Sequence, residues 1–154
     1  MTEKLFFDND IILDISIKRD KSIDNDVNDS IRLINLVEHG KYEGYTSSII
    51  FTNTYYIQRK LKNHDTAINF LKKLRLVLNV LNVNDKIIQK ALESGFSDFE
   101  DAVQYYTAIE NKIDFIVTRN VKDYKKSTIK VLRPSQYLKI KDLKIKEVEE
   151  NQNI

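Results

Sequence analysis

Residues 97–124 read SDFEDAVQYYTAIENKIDFIVTRNVKDY, and this stretch decides the fold class. Ser97 followed three residues later by Glu100 has the capping-box pattern, which opens a helix predicted to run to about Glu110. Phe115–Thr118 is then a short strand of the type buried in parallel sheets. Working outward, Lys4–Phe7 is an apolar strand ending at Asp8, and Ile11–Ile17 continues as a helix or tight turn. Asp20–Asn28 is polar and reads as a loop. Ile31, Leu33, Ile34, Leu36 and Val37 recur at helical spacing, and Gly40 ends that helix. Gly44–Ser47 and Val77–Leu81 are further strands, with helices over Ile49–Leu61, Thr66–Leu78 and Asn84–Glu93. Asn63 or Asp65 caps the helix that includes Thr66. Lys130–Leu132 is the last strand, and Pro134 starts a short final helix. Strands alternating with helices imply a three-layer α/β/α sandwich with a mostly parallel central sheet.

Composition narrows the class. The 154 residues, 42% hydrophobic and 31% charged, suit one globular domain. That domain is expected over 1–140, followed by a charged, partly mobile tail over 141–154. The absence of Cys excludes disulfides, zinc-thiolate centres and a Cys nucleophile. With three Gly and no Gly-rich run, there is no phosphate-cradling loop. The opening MTEKLFFDND is too short an apolar run for a signal-peptide core, and no run has the length of a membrane span, so a cytoplasmic protein is expected.

In open parallel sheets, sites form where the strands end. Asp8 and Asp10 follow the first strand, Asp98 and Asp101 share one face of a helix start, and Asp123 lies five residues beyond Thr118. Carboxylates meeting at one sheet edge repel strongly in a low-dielectric cleft, and a divalent cation resolves the repulsion. Hard oxygen ligands suit Mg²⁺ or Mn²⁺, and the natural chemistry is metal-assisted phosphodiester hydrolysis. Each acid also has a plainer role. Asp8 can serve as a turn or cap residue, and Asp98 can simply complement the helix dipole. Asp14, within helical reach of Asp10, supports the site or is merely exposed. Arg119 binds phosphate or pairs with a carboxylate. Arg59, Lys60, Lys62, Lys122, Lys125 and Lys126 are a phosphate-binding face or a solvated one. His39 and His64 lack metal-ligand spacing, and Tyr55, Tyr56, Tyr105 and Tyr106 read as packing residues.

Three segments, LFFDNDIILD (5–14), residues 97–124 and VLRPSQYL (131–138), resemble the PIN-domain family, in particular its toxin-type ribonucleases. The resemblance implies that Asp8, Asp101 and Asp123 match the first, third and fourth metal-binding acids. Asp98 becomes an auxiliary metal acid, and Thr118 and Asn120 orient the fourth acid or a metal-bound water. It further implies an Mg²⁺- or Mn²⁺-dependent endoribonuclease acting on RNA, held by a cognate antitoxin protein, and it is compatible with a homodimer. Two positions depart from the pattern. Asp10 stands where the family usually has Asn. In SSIIFTNTYYIQRK (47–60), Asn53 stands where the second acid, a Glu, is expected; it offers a neutral oxygen, and Asp10 is the candidate to offset the lost charge. Two rivals remain. Asp8-Asn9-Asp10 mimics the Asp-x-Asp motif of haloacid-dehalogenase-type phosphatases, although Ile12 stands where Thr is wanted. Asn53 also suits a PIN-like module that binds RNA or protein without cutting.

Overall fold

A computed structural model describes residues 1–17 and 25–152. The chain runs β1 (Lys4–Phe7), α1 (Asn9–Ile17), α2 (Asn25–Glu38), β2 (Glu43–Ser47), α3 (Ser48–Leu61), α4 (His64–Val77) and β3 (Asn79–Leu81). It continues with α5 (Asp85–Glu93), α6 (Phe99–Glu110), β4 (Phe115–Val117), a 3₁₀ turn at Val121–Tyr124, β5 (Lys130–Leu132) and α7 (Pro134–Gln152). The five strands form one sheet in the order β3-β2-β1-β4-β5, and every neighbouring pair is parallel. The sheet is thus wholly, rather than mostly, parallel.

β1 is the centre of the molecule because both of its faces are apolar. Leu5, Phe6 and Phe7 are all fully buried, as are Ile116 and Val117 beside them on β4. Helices cover the sheet, with α1 against α2 and α3, α3 against α4, α2 against α7 and α5 against α6. Gly44 on β2 is required by close packing: a Cβ there would lie 2.4 Å from Leu78 Cδ2 and 2.7 Å from Val37 Cγ1. Gly40, at φ +80°, ends α2 in a left-handed turn, with its N–H on the Val37 carbonyl and that of Lys41 on Leu36.

The chain builds outward from β1 to β2 and β3, then returns to place β4 on the other side of β1. The strand order therefore reverses at the β1–β4 pair, which is where α/β sheets open a crevice beyond their strand ends. Phe7 is in register with Val117, and the Asp8 N–H donates to the Val117 carbonyl at 3.0 Å. Asp8 and Thr118 consequently leave the sheet side by side.

Several expected elements shift. The loop expected over Asp20–Asn28 gives way to α2 at Asn25, and residues 18–24 lie outside the described residues. Asn63, not Asp65, caps α4, its side chain accepting from the Thr66 N–H. The last helix is not short: α7 extends through the charged tail to Gln152, anchored by buried Tyr137 and Leu138. The capping box is displaced by one residue. Asp98, not Ser97, is the cap of α6; its Oδ1 accepts the Asp101 N–H at 3.0 Å, so Glu100 is not part of a box closed by Ser97. Among the described residues, no helix is long and apolar enough to cross a membrane.

Candidate metal centre

Asp8 occupies the junction between β1 and α1. Its backbone carbonyl accepts from Ile11 and Ile12, starting the helix, while its side chain is only 7% exposed. A buried carboxylate must be matched by donors. Oδ1 accepts the Asn9 N–H at 2.8 Å, and Oδ2 accepts the Thr118 hydroxyl at 3.0 Å and the Tyr124 hydroxyl at 2.9 Å. Burial nonetheless raises the Asp8 carboxyl above its ordinary range, and the Asp123 charge adds to the rise. Tyr124 is itself buried; its phenol is held well above its ordinary range by burial and by the charges of Asp8 and Asp101, so it stays a proton donor.

Asp10, two residues on, holds the loop that follows β4. Its Oδ2 accepts the Thr118 hydroxyl at 3.1 Å, the Arg119 N–H at 3.0 Å and the Asn120 side-chain amide at 3.0 Å. Thr118 thus orients Asp8 and Asp10, while Asn120 bonds Asp10 through its amide and the N–H of Asp123, the fourth acid, through its backbone carbonyl. The Thr118 hydroxyl has one proton between two carboxylates. Both contacts are best satisfied when one carboxyl is protonated, in keeping with Asp10 being pushed up to about 6 by burial and by Asp8.

The Arg119 side chain turns away from the acids. Its Nη1 donates to both oxygens of Asp14, at 2.8 and 3.0 Å, and Asp14 is 1% exposed. Nη2 lies 3.8 Å from Asp26, which also binds Arg133, and Arg133 donates to the Arg119 carbonyl at 3.2 Å. Of the two roles offered by the sequence, carboxylate pairing is the one observed. Arg119 fastens the Thr118–Asn120 loop to α1 and α2.

The remaining acids come from α6 and the 3₁₀ turn. Asp101 is half-buried, and its carboxyl is pushed up to about 7, first by burial and then by the charges of Asp8, Asp98, Asp123 and Glu100. Asp123 is exposed on the turn, with its N–H on the Asn120 carbonyl at 3.0 Å. Asp98 spends one oxygen on its capping bond. Asn53, on α3, donates from its side-chain amide to Glu100 Oε1 at 3.0 Å, and Glu100 is raised by burial and by the charges of Asp8 and Asp98.

The strand ends and helix starts thus bring the charges of Asp8, Asp98, Glu100, Asp101 and Asp123 within mutual influence, while Asp10 serves the loop. The donor set is all hard oxygen, and Asp8, Glu100 and Asp101 are raised in part by the charges of their acidic neighbours, which fits a divalent cation such as Mg²⁺ or Mn²⁺. Among the described residues, however, no three Asp, Glu or His side chains are already drawn into metal-holding geometry. Two contributors escaped the sequence reading. Glu100 was assigned to the displaced capping box, and Tyr124 had no signal beyond adjacency to Asp123. His39 and His64 remain outside the cluster, bonded to Asn35 and Tyr55.

This wholly parallel sheet, with acids gathered at the point where its strand order reverses, defines an α/β protein with its site beyond the strand ends. The family model of the PIN domain matches residues 4–122. The chain belongs to the PIN-domain family. Among solved structures it is similar to VapBC-1 from nontypeable Haemophilus influenzae, at 17% identity and a TM-score of 0.63, covering 86% of this chain and 98% of that one. It is also similar to VapBC2 from Rickettsia felis bound to a promoter DNA fragment, at 16% identity and a TM-score of 0.62, covering 84% and 97%. A third is VapC20 of Mycobacterium tuberculosis, a toxin that cleaves the sarcin–ricin loop, at 17% identity and a TM-score of 0.54, covering 73% and 86%. Among curated protein sequences none matches.

Proposed function

We propose that this protein is a metal-dependent endoribonuclease and the toxin of a toxin–antitoxin pair. The observation that carries the reading is the gathering of Asp8, Asp101 and Asp123 at the β1–β4 crevice of a PIN-domain chain, where the Asp123 charge acts on Asp8 and both act on Asp101. Those three residues would hold Mg²⁺ or Mn²⁺. Such an ion supplies polarisation of the scissile phosphate and a lowered pKa for the attacking water. The chain's own contribution is orientation. Thr118 and Tyr124 fix the Asp8 carboxylate, and Asp10 fixes the loop carrying Thr118 and Asn120. Asp101, pushed up to about 7 in the metal-free protein, would give up its proton on taking up the ion, so binding is expected to strengthen as pH rises through neutrality. The solved toxin–antitoxin complexes of like fold support an antitoxin partner, and an Arg from that partner would pair with these carboxylates at bidentate geometry.

A second reading, a PIN-like module that binds RNA or protein without cutting, is favoured by Asn53, an amide facing Glu100 where the family pattern has an acid. Cleavage of a structured RNA by the purified chain separates the two. Cleavage with Mg²⁺ or Mn²⁺ that EDTA stops and Asp101→Asn abolishes supports the nuclease. Equal inactivity of wild type and Asp101→Asn supports the binding module. Growth arrest on expression, relieved by the neighbouring gene product, tests the partner.

A further inference from the structure

The corner of the cleft between α3 and α6 brings together two residues distant in the sequence. Asn53 and Glu100 are 47 residues apart, yet the Asn53 side-chain amide donates to Glu100 Oε1 at 3.0 Å. Glu100 is the second residue of α6, and Asp98, not Ser97, caps that helix. A carboxylate at such a position ordinarily remains in solvent and complements the helix dipole. Glu100 is likewise exposed, but one of its oxygens is bonded by a residue of another helix, beside Asp101 and within the influence of the Asp8 charge.

We propose that Glu100, held by the Asn53 amide, is the carboxylate that completes the charge of the cation site. The two residues do together what a glutamate at position 53 would do alone. The chemistry at position 53 follows from this. A glutamate there would set two carboxylates at hydrogen-bond distance, a contact that like charges do not tolerate without a shared proton or a cation. An amide supplies the missing donor and leaves the corner with one negative charge. Asp10 is committed to the Thr118–Asn120 loop through Oδ2, which receives three donors, and only its buried Oδ1 has no partner. The inference rests on the reading of the cleft as a divalent-cation site, and it adds a ligand to that site.

The test is Mn²⁺ binding to the full chain, measured by calorimetry, together with the metal-free melting temperature as a check on folding. The proteins are wild type, Glu100→Gln, the exchange variant Asn53→Glu/Glu100→Gln, Asp101→Asn, and Glu93→Gln as an exposed control on α5. Glu100→Gln should weaken Mn²⁺ binding by about tenfold or more, on the scale seen when residues around metal sites are changed. The exchange variant should recover most of that loss, and Glu93→Gln should bind as wild type does. If Asp101→Asn loses binding while Glu100→Gln keeps it, the cation site stands and the role of Glu100 is overturned. If Glu100→Gln is weakened but the exchange does not recover it, position 53 is not interchangeable with Glu100 and the pairing is overturned. If wild type binds no Mn²⁺, the cation-site reading falls and the inference with it.

Discussion

Replacing Asp101 with Asn should stabilise the metal-free protein at alkaline pH, against the usual expectation for a change in an active-site cleft. The Asp101 carboxyl, ordinarily at 3.8, is pushed up to about 7 by burial and by its acidic neighbours. The folded protein therefore holds this proton more tightly than the unfolded chain. The stabilisation from protonation is complete below about pH 4 and is lost as pH rises through about 7. At about 1.4 kcal/mol per unit, the full shift would correspond to about 4 kcal/mol in a fully buried setting. Asp101 is only half-buried, and solvent screening reduces this to about 1–2 kcal/mol. For a domain of this size, 1 kcal/mol moves the melting temperature by about 2–4 °C. Asp101→Asn should thus raise the melting temperature at pH 8 in EDTA by about 2–6 °C, and the gain should shrink as the pH falls toward 4. Mn²⁺ should invert the order, because a ligand at 100 times its Kd stabilises the wild type by about 2.7 kcal/mol. Thermal unfolding across pH 4–8.5, with and without Mn²⁺, is the assay. An Asp101→Asn protein no more stable than wild type at pH 8 in EDTA would refute the electrostatic reasoning.

Two other expectations concern the supports of the site. Tyr124→Phe removes a donor to the buried Asp8 oxygen and should cost about 1–2 kcal/mol in urea unfolding; unchanged stability would mean that Thr118 and the Asn9 N–H suffice. Asp14→Asn leaves the Arg119 guanidinium with Asp26, 3.8 Å away, as its remaining carboxylate and should cost about 1–3 kcal/mol, less than a fully buried pair because the Arg119 side chain is 23% exposed; a loss below about 0.5 kcal/mol would place the anchoring of the loop elsewhere.

The sheet was legible because its central strands are apolar on both faces: Leu5, Phe6, Phe7, Ile116 and Val117 are buried and Phe115 is partly so. The acids at the strand ends were legible for the same reason, since a strand end in the core delivers the next residue to the crevice. The cap of α6 was not. Ser97 and Asp98 are both good capping residues, and the sequence satisfied a pattern from either one. A shift of a single residue changed the role of Glu100. The fate of Arg119 was open for a different reason: its partner Asp14 lies 105 residues away, and only the β1–β4 pairing brings them together. The charge of the tail conceals the helical extension of α7, whose first turns are anchored by buried Tyr137 and Leu138.

The central claim is that Asp8, Asp101 and Asp123 share one divalent cation. Anomalous diffraction from crystals grown with Mn²⁺ tests it most directly. The account predicts a manganese peak in the crevice beyond β1 and β4, bound by oxygens of these three residues and lost in Asp101→Asn. A peak bound elsewhere, or a crevice without manganese at millimolar concentrations, would contradict it.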